Sequence, residues 1–342
     1  MRAAIVREHG GLDALLFEDI PTPEPGPGQV RVKVKACAVN HLDLWVRRGV
    51  PGAKFPLPLI PGNDVSGVIH ALGAGVEGIE VGAEVIVQPG LSCGHCMACL
   101  SGQDQRCRSY GILGEHADGG YAEYVIVPRA NVFLKPGSME FAEAAAMPLT
   151  FLTAWTMLID RAQLRQGETV LIQAAGSGVS SAAIQIAKLW NATVITTASS
   201  DKKLQKAREL GADHCINYKN DDVVREVKML SAKRGVDIVF DHVGTATWQQ
   251  GLRCLGWQGR LVTCGATTGA DAQLNLRHLF FKSLSILGST MGPKSTVLKI
   301  FELAERGLLQ PVIDRVIPLD QAREAHRLIE ERAVFGKIVL VP

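Results

Sequence analysis

Thr169-Val170-Leu171-Ile172-Gln173-Ala174, followed by Ala175-Gly176-Ser177-Gly178-Val179-Ser180-Ser181, decides the fold. The first six residues read as a buried strand. The residues from Gly176 to Ser181 spell G-x-G-x-x-G with Ser181 in the place of the third glycine. The two glycines allow a tight turn and close approach of backbone to a pyrophosphate. A helix beyond them would offer unpaired N–H groups and the positive end of its dipole. The third place needs only a small side chain, which serine provides. The same pattern also occurs as a plain glycine-rich turn between strand and helix, so the flanking sequence has to decide.

Downstream, strand and helix alternate. Residues 180–190 read as a helix, 194–197 as a strand, 201–210 as a helix, 214–217 as a strand and 221–231 as a helix. Strands come next at 236–240 and 260–264. That rhythm predicts an α/β, doubly wound parallel sheet. Upstream the texture is different. Val30-Arg31-Val32-Lys33-Val34-Lys35-Ala36 alternates with period two after four prolines between 21 and 27, and 65–72, 84–87 and 121–127 are further short strands between Gly and Pro. This part predicts a β-rich barrel-like unit. The last fifty residues carry amphipathic helices at 295–306 and 319–331 and a closing strand at 337–341.

Composition narrows the function classes. The chain has 342 residues, with 36 Lys+Arg against 34 Asp+Glu, a net charge of +2 that gives no electrostatic reason to expect nucleic acid. No stretch approaches the roughly 20 apolar residues of a membrane span. The N-terminus runs into a strand-like segment without a signal-peptide layout, so neither membrane nor secretion is expected. Of eight cysteines, Cys93, Cys96, Cys99 and Cys107 cluster, and the others are scattered among apolar neighbours. Four thiolates at such spacing close tetrahedrally on Zn²⁺ and leave no position open for substrate, predicting one structural zinc per chain. An Fe–S cluster and a pair of disulfides are the alternatives. Cysteine usage points to the cytoplasm.

The end of the second α/β strand bears on cofactor choice. An NAD site usually places Asp or Glu there for the ribose 2′-hydroxyl. Here Ala198-Ser199-Ser200 precede Asp201-Lys202-Lys203. A hydroxyl at Ser200 and a cation at Lys203 suit a 2′-phosphate, so NADP(H) is expected over NAD(H).

Cysteine lobe, Gly-x-Gly loop and layout together resemble the medium-chain dehydrogenase/reductase superfamily, that of zinc alcohol dehydrogenases and zeta-crystallin-like quinone reductases. The resemblance rests on Pro61-Gly62-Asn63-Asp64, Gly119-Gly120-Tyr121-Ala122-Glu123-Tyr124, residues 148–155, Ala174 to Val179, and Phe335-Gly336-Lys337. It implies a GroES-like catalytic domain over 1–150 and 291–342, with a zinc lobe at about 90–110, and a Rossmann domain over 151–290. It also implies that Lys203 and Tyr218 surround the 2′-phosphate. Gly265, Ala266, Gly288 and Ser289 would lie at the nicotinamide, with Gly176, Ser177, Gly178 and Val179 at the pyrophosphate. Subunits of this family commonly pair through a Rossmann edge strand, here 285–289, so a homodimer or homotetramer is expected.

The departures from the family pattern concern chemistry. The catalytic zinc of its alcohol dehydrogenases takes Cys, His and Cys. The matching positions hold Asn40, Asn63 and Leu149 or Thr150, and the relay hydroxyl is replaced by Leu42. Without Lewis acid and relay the sequence is not expected to follow the alcohol route. The expected reaction is hydride transfer from NADPH to an electrophilic small molecule, a quinone or α,β-unsaturated carbonyl. Asn40, His41 and Asn63 are the candidate catalytic residues. Asn40 would donate to the developing oxyanion or else cap the next helix. His41 and His116 are possible acids, His242 is expected to shape the cofactor pocket, and Cys37 is read as a core residue. The alternatives are an alcohol or aldehyde dehydrogenase with unrecognised zinc ligands or none, and a non-catalytic NADPH-binding protein.

Overall fold

Strand Gln29–Ala38 is the spine of the N-terminal part. Its alternating apolar residues turn inward, and it pairs antiparallel with Asp64–Leu72, with Tyr124–Pro128 and with the C-terminal strand Lys337–Val341. The chain end thus completes a seven-stranded sheet. Val30, Val32, Val65, Ile69, Val85, Tyr121 and Leu340 share its core. The computed structural model describes all 342 residues. Its contacts divide the chain into Met1–Leu149 with Pro293–Pro342, and Thr150–Gly292.

The second unit holds six parallel strands in the order His214–Asn217, Thr193–Ala198, Thr169–Ile172, Val236–Asp241, Leu255–Thr263, Ser285–Gly288. The strand order reverses between Thr169–Ile172 and Val236–Asp241, which makes that junction the switch point where ligands of doubly wound sheets bind. Ser285–Gly288 is an edge strand.

Three expectations are corrected in detail. The first α/β strand stops at Ile172, two residues early, because Ala174 adopts the left-handed φ of 53° that turns the chain into the loop. Strand Leu255–Thr263 begins five residues before the expected start, since Gly256 and Gly259 hide it in the sequence. The segment expected as a strand over 121–127 becomes one only at Tyr124. Tyr121 sends its ring into the core and pairs its backbone with Pro61 and Ala4 instead.

Candidate functional site

The glycine loop leaves its strand through Gln173. The Ala174 N–H donates to Thr197 Oγ1 at 3.1 Å, and the Ala175 N–H to the Thr197 carbonyl at 2.8 Å. Ser177 caps the helix Gly178–Leu189, its Oγ accepting the Ser180 N–H. Gly176, Gly178 and Val179 complete the turn at the C-terminal end of the sheet. On the neighbouring strand end Ser200 precedes helix Asp201–Glu209, with Lys203 in its first turn. Asp201 turns its carboxylate to the Asn217 amide at 3.0 Å, and Tyr218 is 42% exposed beside it. Ser200, Lys203 and Tyr218 therefore stand at the ends of two paired strands, Ala198 facing Asn217 in register. On the other side of the switch point, Gly265 and Ala266 follow Thr263, whose strand partner is Gly288. The Ser289 N–H donates to the Thr263 carbonyl, and Ser289 Oγ is buried without a partner.

In the first unit Asn40 and Asn63 belong to one buried polar cluster. Asn40 begins helix His41–Arg48 as its N-cap, and the Asp43 carboxylate takes the Asn40 backbone N–H at 2.7 Å. The Asn40 amide donates to Asn63 Oδ1 at 2.6 Å and to Asp64 Oδ2 at 2.8 Å. Its own Oδ1 accepts from Lys337, whose ammonium also donates to Asp64 at 3.2 Å. Asn63 donates to Asp43 at 3.1 Å, and the Leu149 N–H reaches Asp64 Oδ1 at 2.8 Å. Both hydrogens of the Asn40 amide are thus engaged within the cluster, and the residue stands at the N-cap of the helix.

The cluster continues inward. Tyr121 OH lies 3.1 Å from Asp43 Oδ2 and 3.2 Å from His326 Nε2, and His326 Nδ1 faces Arg47, which pairs with Glu330. Burial outweighs the donors around Asp43 and raises its carboxyl to about 6. Burial, with Arg47 nearby, lowers the His326 imidazole to about 3. Because Asp43 accepts from Tyr121, the phenol oxygen receives Nε2–H of a neutral His326, and Nδ1 accepts from Arg47. His41 stands at the helix start, edge-on to Trp45 at 5.5 Å between ring centroids. His116 is half exposed and accepts the Ile112 N–H, so it lies on a surface turn. Cys37 is a core residue: its thiol is fully buried, and a Cβ on Gly62 would come within 2.8 Å of it.

The four clustered cysteines bring their sulfurs within 4.8 Å of one another. Cys93 to Cys99 is 3.9 Å and Cys96 to Cys99 is 3.6 Å. A tetrahedron of ligands about 2.3 Å from zinc has edges of about 3.8 Å. A disulfide would need about 2.05 Å, so the pairing alternative does not describe this lobe. Backbone N–H groups of His95 and Cys96 bring the Cys93 thiol down to about 6, while burial and the neighbouring sulfurs push Cys96 up to about 11.

The chain is similar to known proteins over its whole length. Residues 26–137 match the alcohol dehydrogenase GroES-like domain, and residues 178–306 the zinc-binding dehydrogenase family. A crystal structure of an NAD-dependent alcohol dehydrogenase superposes with a TM-score of 0.96 at 51% identity, both chains covered in full. An NAD-dependent alcohol dehydrogenase of Sulfolobus acidocaldarius is 33% identical over 350 residues, 99% of each chain. The chain belongs to the medium-chain dehydrogenase/reductase superfamily. The quinone oxidoreductase of Escherichia coli, solved with NADPH, superposes at a TM-score of 0.86 and 26% identity over the whole of both chains. As a member of this superfamily the protein is an oxidoreductase.

Within the medium-chain fold, sequence reading missed most of the buried cluster. Asp43 and Asp64 were visible only as parts of motifs, and Lys337 only as the end of Phe335-Gly336-Lys337. One signal was available: Lys337 opens a strand whose next three residues are all buried. A lysine at such a position requires a buried partner. Arg47, Tyr121 and His326 carried no comparable signal, because their elements meet only in the folded chain.

Proposed function

We propose that this protein is an NADP(H)-dependent reductase that delivers hydride to a quinone or α,β-unsaturated carbonyl without a catalytic zinc. The observation carrying this reading is the filled cluster around Asp64. The positions that the resemblance assigns to the Cys, His and Cys of a catalytic zinc hold Asn40, Asn63 and Leu149 or Thr150, and Asn40, Asn63 and the Leu149 N–H belong to this cluster. Two amides with Leu149 or Thr150 are a poor donor set for Zn²⁺, whose protein ligands are thiolate, imidazole and carboxylate. Lys337 already supplies a positive charge to Asp64. The tetrathiolate lobe does fit zinc, and Cys93, Cys96, Cys99 and Cys107 would hold it.

The glycine loop fits a dinucleotide. Gly176 to Val179 would take the pyrophosphate on the helix N-terminus, and the orphaned Ser289 Oγ, with Gly265, Ala266 and Gly288, would line the nicotinamide end. Asp201 is tied to Asn217, and Ser200, Lys203 and Tyr218 at the two paired strand ends would meet a 2′-phosphate. When bound, NADPH supplies the hydride. A conjugated acceptor carries its own electron sink, so orientation and a hydrogen bond to the oxyanion suffice. Asn40 and Asn63 would brace the site in this reading, and His41 would hold a proton. An edge strand flanked by the exposed Leu276, Phe280 and Phe281 supports pairing of subunits, to be read by light scattering. None of the eight cysteines is in a disulfide, which suits the cytoplasm, and no helix is long and apolar enough to cross a membrane.

The test monitors NADPH oxidation against quinones and enones, with NADP⁺ and simple alcohols in parallel. Turnover in the first panel alone is expected. Lys203→Ala should raise KM for NADPH about tenfold and leave that for NADH unchanged, as the loss of one charged contact predicts. A second reading, alcohol oxidation, is favoured by the name of the neighbour at 51% identity. Turnover confined to alcohols would establish it and overturn the first.

A further inference from the structure

Ser177 occupies the middle of Gly176-Ser177-Gly178 and caps a twelve-residue helix. Its Oγ accepts the Ser180 N–H at 3.1 Å and lies 2.9 Å from His242 Nε2. Ser180 Oγ lies 3.0 Å from the same nitrogen and 2.7 Å from the Gln173 carbonyl oxygen. Counting hydrogens fixes the direction of every bond. A carbonyl only accepts, so the Ser180 hydroxyl hydrogen goes to Gln173, and Ser180 Oγ can meet His242 only as an acceptor. Nε2 therefore carries a hydrogen, shared between the two serine oxygens. Ser177 Oγ accepts twice, and its own hydrogen must point away from both donors.

His242 reaches this place from the end of strand Val236–Asp241, across the switch point from the glycine loop. Burial holds its imidazole below the ordinary range, so it stands neutral with its single hydrogen on Nε2. A valine or leucine there would leave Ser177 free to turn its hydroxyl inward. The imidazole instead commits both lone pairs of Ser177 and leaves a donor at the mouth of a helix N-terminus.

We infer that the Ser177 hydroxyl is a hydrogen-bond donor to the cofactor's pyrophosphate, held in that role by His242 as a positioning residue. The inference rests on the dinucleotide reading of the glycine loop and adds to it a side-chain ligand and the group that aims it. Donation to a charged oxygen is among the stronger hydrogen bonds, and its loss should weaken binding about 10- to 100-fold.

The test titrates the purified chain with NADPH and with NADH by calorimetry, and records melting without cofactor alongside. Ser177→Ala should raise Kd for both nucleotides by that factor. His242→Leu should raise it several-fold, and His242→Gln, whose amide N–H can reach the same oxygens, should restore it. In steady state the change should fall on KM for the nucleotide and spare kcat. If Ser177→Ala lowers the melting temperature, as loss of a helix cap would, yet leaves Kd within about twofold, the inference fails. It fails equally if His242→Leu and His242→Gln weaken binding alike, or if His242→Leu has no effect. An unaltered chain that bound neither nucleotide would sink the cofactor reading and this inference together. Binding that ignores Ser177 sinks the inference alone.

Discussion

Two polar clusters in the first unit teach different lessons about one family architecture. In the cysteine lobe four sulfurs, three half-buried and Cys107 buried, gather at tetrahedral spacing on one short stretch of chain. Around Asp64 the side chains are buried and fastened to one another: Asn40, Asn63, Asp43 and Lys337 take up each other's hydrogen-bonding capacity. The first is an arrangement that a metal would complete. The second is complete in itself. The cysteine lobe holds a donor set that suits zinc, whereas the buried cluster is built of amides, carboxylates and an ammonium that satisfy one another.

The largest effect should come from breaking the lobe. Purified protein should carry about one zinc per chain and no second one, as emission spectroscopy would show. Cys99→Ser should abolish that zinc and lower the melting temperature by roughly 5–10 °C, because metal affinity is folding free energy. Two zinc ions in the unaltered chain would erase the contrast between the clusters.

The next effect tests whether Lys337 completes the buried cluster. Lys337→Met leaves Asp64 buried without its counter-charge, and urea unfolding should register a loss of about 3 kcal/mol. Adding Asp64→Asn should recover part of that, since the orphaned charge goes with it. A neutral single substitution would mean that the ammonium is a bystander.

The lobe was legible in the sequence because its ligands are local: four cysteines within fifteen residues carry their own geometry. The glycine loop was legible for the same reason, and so were most strands, where period and punctuation are local too. The buried cluster was not. Asn40, Asp64, Tyr121, His326 and Lys337 come from five separate segments, and only folding brings them together. Asn40 shows the cost. Its motif suggests an oxyanion contact, and the fold engages its amide hydrogens with Asn63 and Asp64. What a side chain can offer a substrate depends on what its neighbours have already taken, and that is a property of tertiary contacts.

The smallest effect concerns pH and sharpens the contrast inside the buried cluster, where Asp43 and His326 share Tyr121 and pull in opposite directions. Asp43 titrates at about 6 in the fold against an ordinary 3.8. Its folded form holds a proton that the unfolded chain lacks, so its contribution is full below 3.8 and is lost as pH rises through 6. His326 titrates at about 3 against an ordinary 6.5, so its contribution is full above 6.5 and is lost as pH falls towards 3. Between 6 and 3.8 each state binds one proton of the pair, and the two slopes cancel. Below 3.8 only His326 remains, and its share of stability falls by about 1.4 kcal/mol per unit of pH. Melting curves should separate the two. Relative to the unaltered chain, His326→Gln should gain stability on acidification from 6.5, because the penalty of keeping the imidazole neutral is removed. Asp43→Asn should lose stability over the same range, because nothing then offsets His326. Parallel pH profiles for all three proteins would show that neither group titrates as its burial requires, and the buried cluster would then be no more coupled than the open cysteine lobe.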